Sequence, residues 1–299
     1  MNSYSEGKIK TYQDKNENRA RFLIKCPDQP GIVAAVSKFL SEHEANIVAS
    51  NQYTIDPMGG EFFMRIEFDC PNLKEKAEKL EEEFLPLAKK FQMDWKIMYV
   101  SELKNMAIFV SKEPHCLLEL LWEWQSGDLM ANISLVISNH ETAREMVESL
   151  GIPFYYIPAN KDIRSQVEQQ QKELLAEYNV DLIVLARYMQ ILTNDFVSGY
   201  ENRIINIHHS FLPAFIGAKP YERAYQRGVK MIGATSHYVT SDLDEGPIIE
   251  QNIGRVDHQD NEEDMKKIGQ SIERSVLARA VKWHLEDRII VHLNKTIVF

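Results

Sequence analysis

A chain of 299 residues, 44% hydrophobic and 26% charged, has apolar material for two modest cores and none of the bias of a disordered, collagen-like or low-complexity protein. Its formal net charge of -10 separates it from proteins that grip nucleic acid through clustered Lys and Arg, so no nucleic-acid partner is expected. No apolar run approaches the roughly 20 residues of a bilayer span, the first residues carry neither a secretory nor a transit pattern, and Cys26, Cys70 and Cys116 fall in no paired spacing, so the chain reads as cytoplasmic, with no membrane partner, disulfide frame or thiolate zinc site.

Arg21-Phe-Leu-Ile-Lys-Cys26 alternates like a strand, and Pro27-Asp-Gln-Pro-Gly31 turns the chain at once. Pro30 suits a first helical turn, where its missing N–H is no loss, and Ile32, Val33, Val36, Phe39 and Leu40 then recur with a helical period. Residues 47–55 and 61–68 read as a hairpin around Asp56-Pro-Met-Gly-Gly60. An amphipathic helix over 72–89 and a strand over 94–99 complete the order βαββαβ, which packs two helices on one face of a small antiparallel sheet.

With the Asp28–Gly31 turn and Asn46 opening the second strand, residues 18–99 resemble an ACT domain. The resemblance implies a ferredoxin-like fold, a regulatory or oligomerisation role, and Asp28, Gly31 and Asn46 as candidate residues for a small-molecule effector. The residues alone admit a plainer use, in which Gly31 lets the chain turn close to the sheet and Asp28 caps the helix.

Residues 100–105 read as a linker, and from 106 the pattern lengthens. Apolar strands over 106–110, 133–137, 152–157 and 182–186 alternate with helices over 116–124, 141–150 and 163–178. Runs apolar on both sides and separated by helices predict a mostly parallel sheet covered on both faces, with functional loops at the carboxyl ends of its strands. Met265, Ile268, Ile272, Leu277, Ala280 and Val281 mark a long helix, and residues 289–299 a terminal hairpin. The expected fold class is α/β, a ferredoxin-like unit followed by a Rossmann-like domain over 106–299.

Common nucleotide and nucleophile motifs are missing from this second half. No strand is followed by Gly-x-Gly-x-x-Gly or by a Gly-Lys-Ser/Thr loop, and Gly233-Ala-Thr-Ser-His237 lacks the second glycine of a nucleophile elbow. Cys116, beside His115, opens an apolar helix face and is expected to pack rather than react. His208, His209 and His237 lack the spacing of a zinc site, so no metal is expected. The densest polar cluster follows residue 204. Asn206 and His208 stand two apart on a predicted strand, so both side chains face one way. After another strand, over 231–239, Asp244 sits in a turn fixed by Gly246 and Pro247, placed to offer a carboxylate to the same cleft.

Asn206-Ile-His208 with Ser210-Phe-Leu-Pro213, and Leu243-Asp-Glu-Gly-Pro247, resemble the signature of folate-dependent formyltransferases, over residues 105–299. With an ACT-like unit in front, His115-Cys-Leu117, Ala214-Phe-Ile-Gly-Ala-Lys-Pro-Tyr221 and Arg227-Gly-Val-Lys230 narrow the resemblance to the hydrolytic branch, the formyltetrahydrofolate deformylases. It implies hydrolysis of 10-formyltetrahydrofolate to formate and tetrahydrofolate, supplying formate for purine biosynthesis and balancing the one-carbon pool, with the folate as substrate and no further cofactor. Residue by residue, it makes Asn206 the donor to the developing oxyanion, His208 the group that polarises the formyl oxygen and moves protons, and Asp244 the carboxylate that orients water and relays its proton. Such a reaction passes through a tetrahedral oxyanion, so it needs a donor and a proton carrier. The resemblance also assigns the pterin to the stretch holding Tyr188, Met189, Gln190 and Ile191, through backbone hydrogen bonds and apolar contacts. Arg187 is either a partner for the glutamate tail or an ordinary surface arginine.

The nearest alternative, glycinamide ribonucleotide formyltransferase, holds a phosphate in a Gly-rich turn after the first strand of this domain. Here that stretch is Ser111-Lys-Glu-Pro-His-Cys116, without glycine, which favours water as acceptor. A methionyl-tRNA formyltransferase would need a further basic domain. A reading of another class, an effector sensor with an inactive transferase-like half, is opposed by the intact Asn206, His208 and Asp244. Exposed sheet edges and the terminal hairpin predict a homo-oligomer.

Overall fold

The computed structural model describes residues 3–56, 59–159, 163–213 and 220–299. Two stretches of the sequence reading lie outside these, the centre of the hairpin turn at 57–58 and the family-like segment 214–219. The chain divides into two compact units, one of Gly7–Leu103, Glu286–Ile290 and Ile297–Phe299, the other built around Lys104–Leu285 and Val291–Thr296. Among the described residues, no helix is long and apolar enough to cross a membrane.

A helix absent from the sequence reading, α1 (Ser3–Lys15), comes first; its residues are mostly polar and form no apolar stripe. The first unit then runs β1 (Arg19–Pro27), α2 (Ile32–Glu42), β2 (Asn46–Thr54), β3 (Glu61–Asp69), α3 (Leu73–Phe91) and β4 (Asp94–Tyr99). Its sheet has the order β2-β3-β1-β4 with antiparallel neighbours, the ferredoxin-like arrangement. Alternation explains the core. Phe22 and Ile24 of β1 and Met64, Ile66 and Phe68 of β3 share the face on which Val36 and Leu40 of α2 and Phe84 of α3 pack.

The opposite face carries charge. Arg21 pairs through Nε with Glu67 (2.9 Å) and through Nη1 with Asp287 Oδ2 (3.1 Å), and Arg65 donates to the carbonyls of Asp287 and Glu286, both at 3.0 Å. These buried donors correct the expected extent of the second domain: Glu286–Ile290 and Ile297–Phe299 belong to the first unit rather than to the unit they follow in sequence. Removing one partner of a buried pair strands the other charge. Asp287→Asn, which keeps shape and tolerates the backbone φ of 53°, is expected to cost about 3 kcal/mol in urea melts; a loss too small to measure would show that the Arg21 network does not hold this segment.

Two details differ from expectation. Pro30 precedes α2 rather than opening it, and Gly31, at φ 95°, supplies the left-handed N-cap. Asp28 does not cap the helix; its carboxylate accepts from Thr54 Oγ1 at 2.8 Å, tying the turn to the end of β2. Register also separates the candidate effector residues. Asn46 lies opposite Asp69, which lies opposite Arg19, whereas Asp28 follows Pro27 at the other end of the sheet. At ~3.3 Å per residue the two ends are roughly 30 Å apart, so Asp28 and Gly31 do not share one site with Asn46 within a protomer.

The second unit comprises β5 (Asn105–Val110), α4 (His115–Ser126), β6 (Asn132–Ser138), α5 (Arg144–Ser149), β7 (Phe154–Tyr156), α6 (Arg164–Glu177), β8 (Leu182–Ala186), α7 (Asn194–Ser198), β9 (Ile204–His208), α8 (Pro220–Arg227), β10 (Met231–Tyr238), β11 (Ile248–Arg255) and α9 (Glu262–Leu285). A short hairpin of β12 (Ile289–His292) and β13 (Lys295–Val298) ends the chain. The sheet order is β11-β10-β9-β8-β5-β6-β7. Strands β5 to β9 are parallel, and β10 and β11 add antiparallel at one edge. The chain leaves β5 toward β6 and β7 on one side and returns to β8 and β9 on the other. The loops after β5 and β8 therefore open on the crevice where open α/β sheets bind ligands. Strand β11 and helices α7 and α8 were not anticipated; β11 is a largely exposed edge whose sequence lacks a buried face.

Candidate functional site

Strand β9 presents Asn206 and His208 on one face, and the antiparallel register of β10 sets His237 directly opposite Asn206. The loop after β10 brings in Asp244, at φ 58°, a conformation aspartate tolerates better than most residues. Gly246 makes that loop possible, because a Cβ there would stand 1.8 Å from the Tyr238 carbonyl oxygen. The turn lies flat on the strand end, with Tyr238 N donating to the Pro247 carbonyl at 2.9 Å. Gly246→Ala must lift the turn and with it Asp244, and a misplacement of about 1 Å can cost up to ~100-fold in rate. Steady-state kinetics should show that loss in kcat; unchanged kcat would mean the turn adjusts without moving the carboxylate.

Asp244 Oδ2 lies 3.2 Å from His208 Nδ1, and Oδ1 3.6 Å from His237 Nε2. Burial pushes the Asp244 carboxyl up, but the hydrogen bond from His208, with the His237 ring close by, outweighs it and holds the group well below the usual carboxylate range. The carboxylate thus stays charged and keeps the His208 Nδ1–H directed at itself. The other ring nitrogen, Nε2, is buried and has no hydrogen-bond partner among the described residues. Behind it, the ring of His209 stacks at 5.3 Å, its pKa pushed down to about 4 by burial and by the nearby Arg187 charge. His237 donates from Nδ1 to the Tyr238 carbonyl (2.9 Å), so the neutral ring accepts at Nε2 from Asn206 Nδ2, 3.2 Å away. That contact fixes the Asn206 amide on the strand.

Asn206, His208 and Asp244 border one cavity of about 380 Å³, and Arg187, Tyr188, Met189, Gln190 and Ile191 line it as well. Leu185, Leu192, Val239 and Leu243 add apolar walls, and Met189 and Ile191 are well exposed. Two backbone groups assigned to a pterin are already engaged: Met189 N donates to Ser111 Oγ at 3.0 Å, and the Ile191 carbonyl accepts from Arg164. Tyr188 is buried, its hydroxyl accepting from Gln171 Nε2 at 2.9 Å.

Arg187 fits neither expectation. Its backbone is left-handed, with φ 62°, and its side chain is only 10% exposed, with Nε 3.4 Å from Glu273 Oε2 and Nη2 3.7 Å from Glu113 Oε2. It is thus no surface residue, and its charge is turned to the buried carboxylate of Glu273 and the half-buried one of Glu113. His115, Cys116 and Glu273 bring three metal-type ligand atoms within 4.8 Å of one another, the one such group among the described residues. The Glu273 carboxylate is shared with His115, Tyr221 and Arg187, and a guanidinium that close opposes a cation. Burial pushes the Cys116 thiol well up, as suits a packing residue.

Sequence reasoning weighed His237 only as a metal ligand and missed Glu273. The signal for Glu273 was present, since Met265, Gly269, Ile272 and Val276 make 273 part of the buried stripe of α9, and a carboxylate there requires partners.

Comparison with known proteins gives these features a family setting. The formyl transferase family model matches residues 104–281, and the ACT domain model matches residues 20–84. The chain is 69% identical, over 299 residues and the whole of both chains, to a formyltetrahydrofolate deformylase of Bacillus subtilis (strain 168). A crystal structure of a formyltetrahydrofolate deformylase from Pseudomonas syringae pv. tomato str. DC3000 superposes with a TM-score of 0.89 at 46% identity, covering 94% of each chain. Glycinamide ribonucleotide transformylase 1 from Symbiobacterium toebii matches less of the chain, with a TM-score of 0.62 at 28% identity over 66% of this chain and 94% of its own.

Proposed function

The chain belongs to the formyltetrahydrofolate deformylases, and we propose that Asn206, His208 and Asp244 carry out the hydrolysis in it. The enzyme converts 10-formyltetrahydrofolate and water to formate and tetrahydrofolate, supplying formate for purine biosynthesis and balancing the one-carbon pool. The observation that supports the residue assignment is the meeting of a charged carboxylate, an imidazole with a free inner nitrogen and a fixed amide around one cavity with apolar walls.

The mechanism follows from those contacts. Asp244 is held too far below the usual range to be a strong base by itself, so it orients the water by accepting one of its hydrogens, and the proton the water gives up ends on the free Nε2 of His208. The water oxygen bonds to the formyl carbon, and the Asn206 amide N–H meets the oxyanion that forms. Protonated at Nε2, His208 steadies the same oxygen. The C–N10 bond then breaks, N10 takes the proton, and formate leaves. No further cofactor enters these steps, and the pterin rests on the Tyr188–Ile191 stretch. The deciding measurement is formate release from 10-formyltetrahydrofolate with no amine present. Steady release is expected; formyl transfer to glycinamide ribonucleotide without release in its absence would overturn the hydrolytic reading.

The cytoplasm is the proposed location, since Cys26, Cys70 and Cys116 are all free and buried, which suits a reducing compartment. We assign the ACT-like unit to effector binding and homo-oligomer formation, on the strength of the exposed edge strand β2 with Ile47, Val48 and Tyr53 uncovered. Light scattering with and without each standard amino acid tests both roles.

A further inference from the structure

We propose that Arg187 is a specificity-determining residue, a fixed cationic plug beside the catalytic residues that reserves the formyl group for water and denies it to amines. The inference rests on the hydrolytic reading of the same cavity. It begins with strain: at φ 62° Arg187 occupies a conformation that disfavours residues other than glycine, and such outliers point to function when the surroundings enforce them. Here they do. The guanidinium faces Glu273 at 3.4 Å and Glu113 at 3.7 Å. Glu273 is fully buried and is held by His115 Nε2 at 2.8 Å and by the Tyr221 hydroxyl at 2.6 Å. Glu113 is held in turn by Lys266 Nζ at 2.6 Å and Gln270 Nε2 at 3.3 Å. Even the helix is shaped for this, since a Cβ at Gly269 would stand 2.0 Å from the Tyr221 hydroxyl oxygen.

The cluster therefore joins the loops after β5 and β8 to α4, α8 and α9 in one hydrogen-bonded wall. Two cations, Arg187 and Lys266, face two carboxylates, Glu113 and Glu273, so the wall has little residual charge with which to draw in an anionic acceptor. It borders the reaction directly: Arg187 lines the cavity together with His208 and His209, and the His209 ring lies 5.3 Å from that of His208 and 6.3 Å from that of Tyr221.

Water and an amine would attack the same carbon. In transfer, the amine nitrogen bonds to the formyl carbon, the C–N10 bond breaks, and the proton lost by the amine is taken by N10. An enzyme that hydrolyses must keep amines out while admitting water. A packed guanidinium does so by bulk, filling the space that an attacking amine would need. Its pairing with Glu273 keeps the plug seated.

The test uses the full-length enzyme with 10-formyltetrahydrofolate and an excess of glycinamide, and measures formate and N-formylglycinamide together. Their ratio is a property of each active site, so partial loss of folded protein does not alter it. Wild type is expected to give formate alone. Arg187→Gly, which suits the left-handed backbone and removes the plug, should raise the formylglycinamide-to-formate ratio by about tenfold or more, whereas Arg187→Lys, which keeps bulk and charge, should stay near wild type. An unchanged ratio in Arg187→Gly overturns the proposal. If that variant fails to fold, Glu273→Gln, which loosens the guanidinium without touching the backbone, must move the ratio in the same direction, and a flat ratio there overturns it equally. Wild type that releases no formate would instead sink the hydrolytic reading, so the two failures are distinguishable.

Discussion

The Asp244→Asn enzyme is expected to fold, to bind the folate as tightly as wild type and to turn over about 10²–10⁴-fold more slowly. An amide cannot share a proton with His208, and its NH2 group set against His208 Nδ1 presents a donor where that ring requires an acceptor. His208 then loses the partner that keeps its Nδ1–H in place and its Nε2 free for the substrate. The cavity walls are untouched, so KM should hold while kcat falls, the pattern of an interaction made in the transition state. Wild-type kcat in this variant would remove Asp244 from the mechanism.

The same carboxylate has a signature in stability. Its folded pKa is depressed by His208 and His237 against the opposing effect of burial, so in the folded state it binds its proton less readily than in the unfolded chain. Its contribution is therefore present above the unfolded pKa and lost as pH falls through that value toward the lower folded one. Urea melts of wild type and Asp244→Asn should differ most at neutral pH and converge below about pH 4. A gap that widened in acid would mean that the histidines do not stabilise the ionised form.

Asn206 and His208 are assigned to one face by the sequence itself, because a strand's period of two is a local property. Asp244 was legible for a similar reason, since Gly246 and Pro247 mark a turn whatever surrounds it. The position of His237 was not, because it depends on antiparallel register with β9, which no local pattern encodes. Long-range charge pairing was also hidden. Arg21 and Asp287 are 266 positions apart, and only their contact reveals that residues 286–290 leave the unit they follow in sequence. Arg187 failed for a third reason. A left-handed conformation at a non-glycine residue and a carboxylate buried on a distant helix are both unusual choices, and a reading based on averages assigns such an arginine to the surface. The polar helix α1 and the exposed edge strand β11 escaped because neither has an apolar face to set a period.

Asn206→Ala tests the other half of the mechanism. Loss of one oxyanion donor should reduce kcat about 10²–10³-fold, or roughly 2.7–4 kcal/mol of barrier. The amide is worth so much because it does not reorganise as charge develops: His237 donates to the Tyr238 carbonyl, which leaves Nε2 to accept one Asn206 N–H and holds the side chain in place. The ground-state formyl oxygen carries little charge and gains little from the same donor, so KM should change far less than kcat. Alanine is a milder change than aspartate at this position, because Asn206→Asp would set a second carboxylate against the His237 nitrogen that Asp244 already faces, and like charges sharing a site raise one pKa. Asn206→Asp should therefore lose as much activity as Asn206→Ala and also shift the acid limb of the pH–rate profile upward. A rise in KM with kcat unchanged in Asn206→Ala would recast the residue as a ground-state binding group and leave the oxyanion to His208.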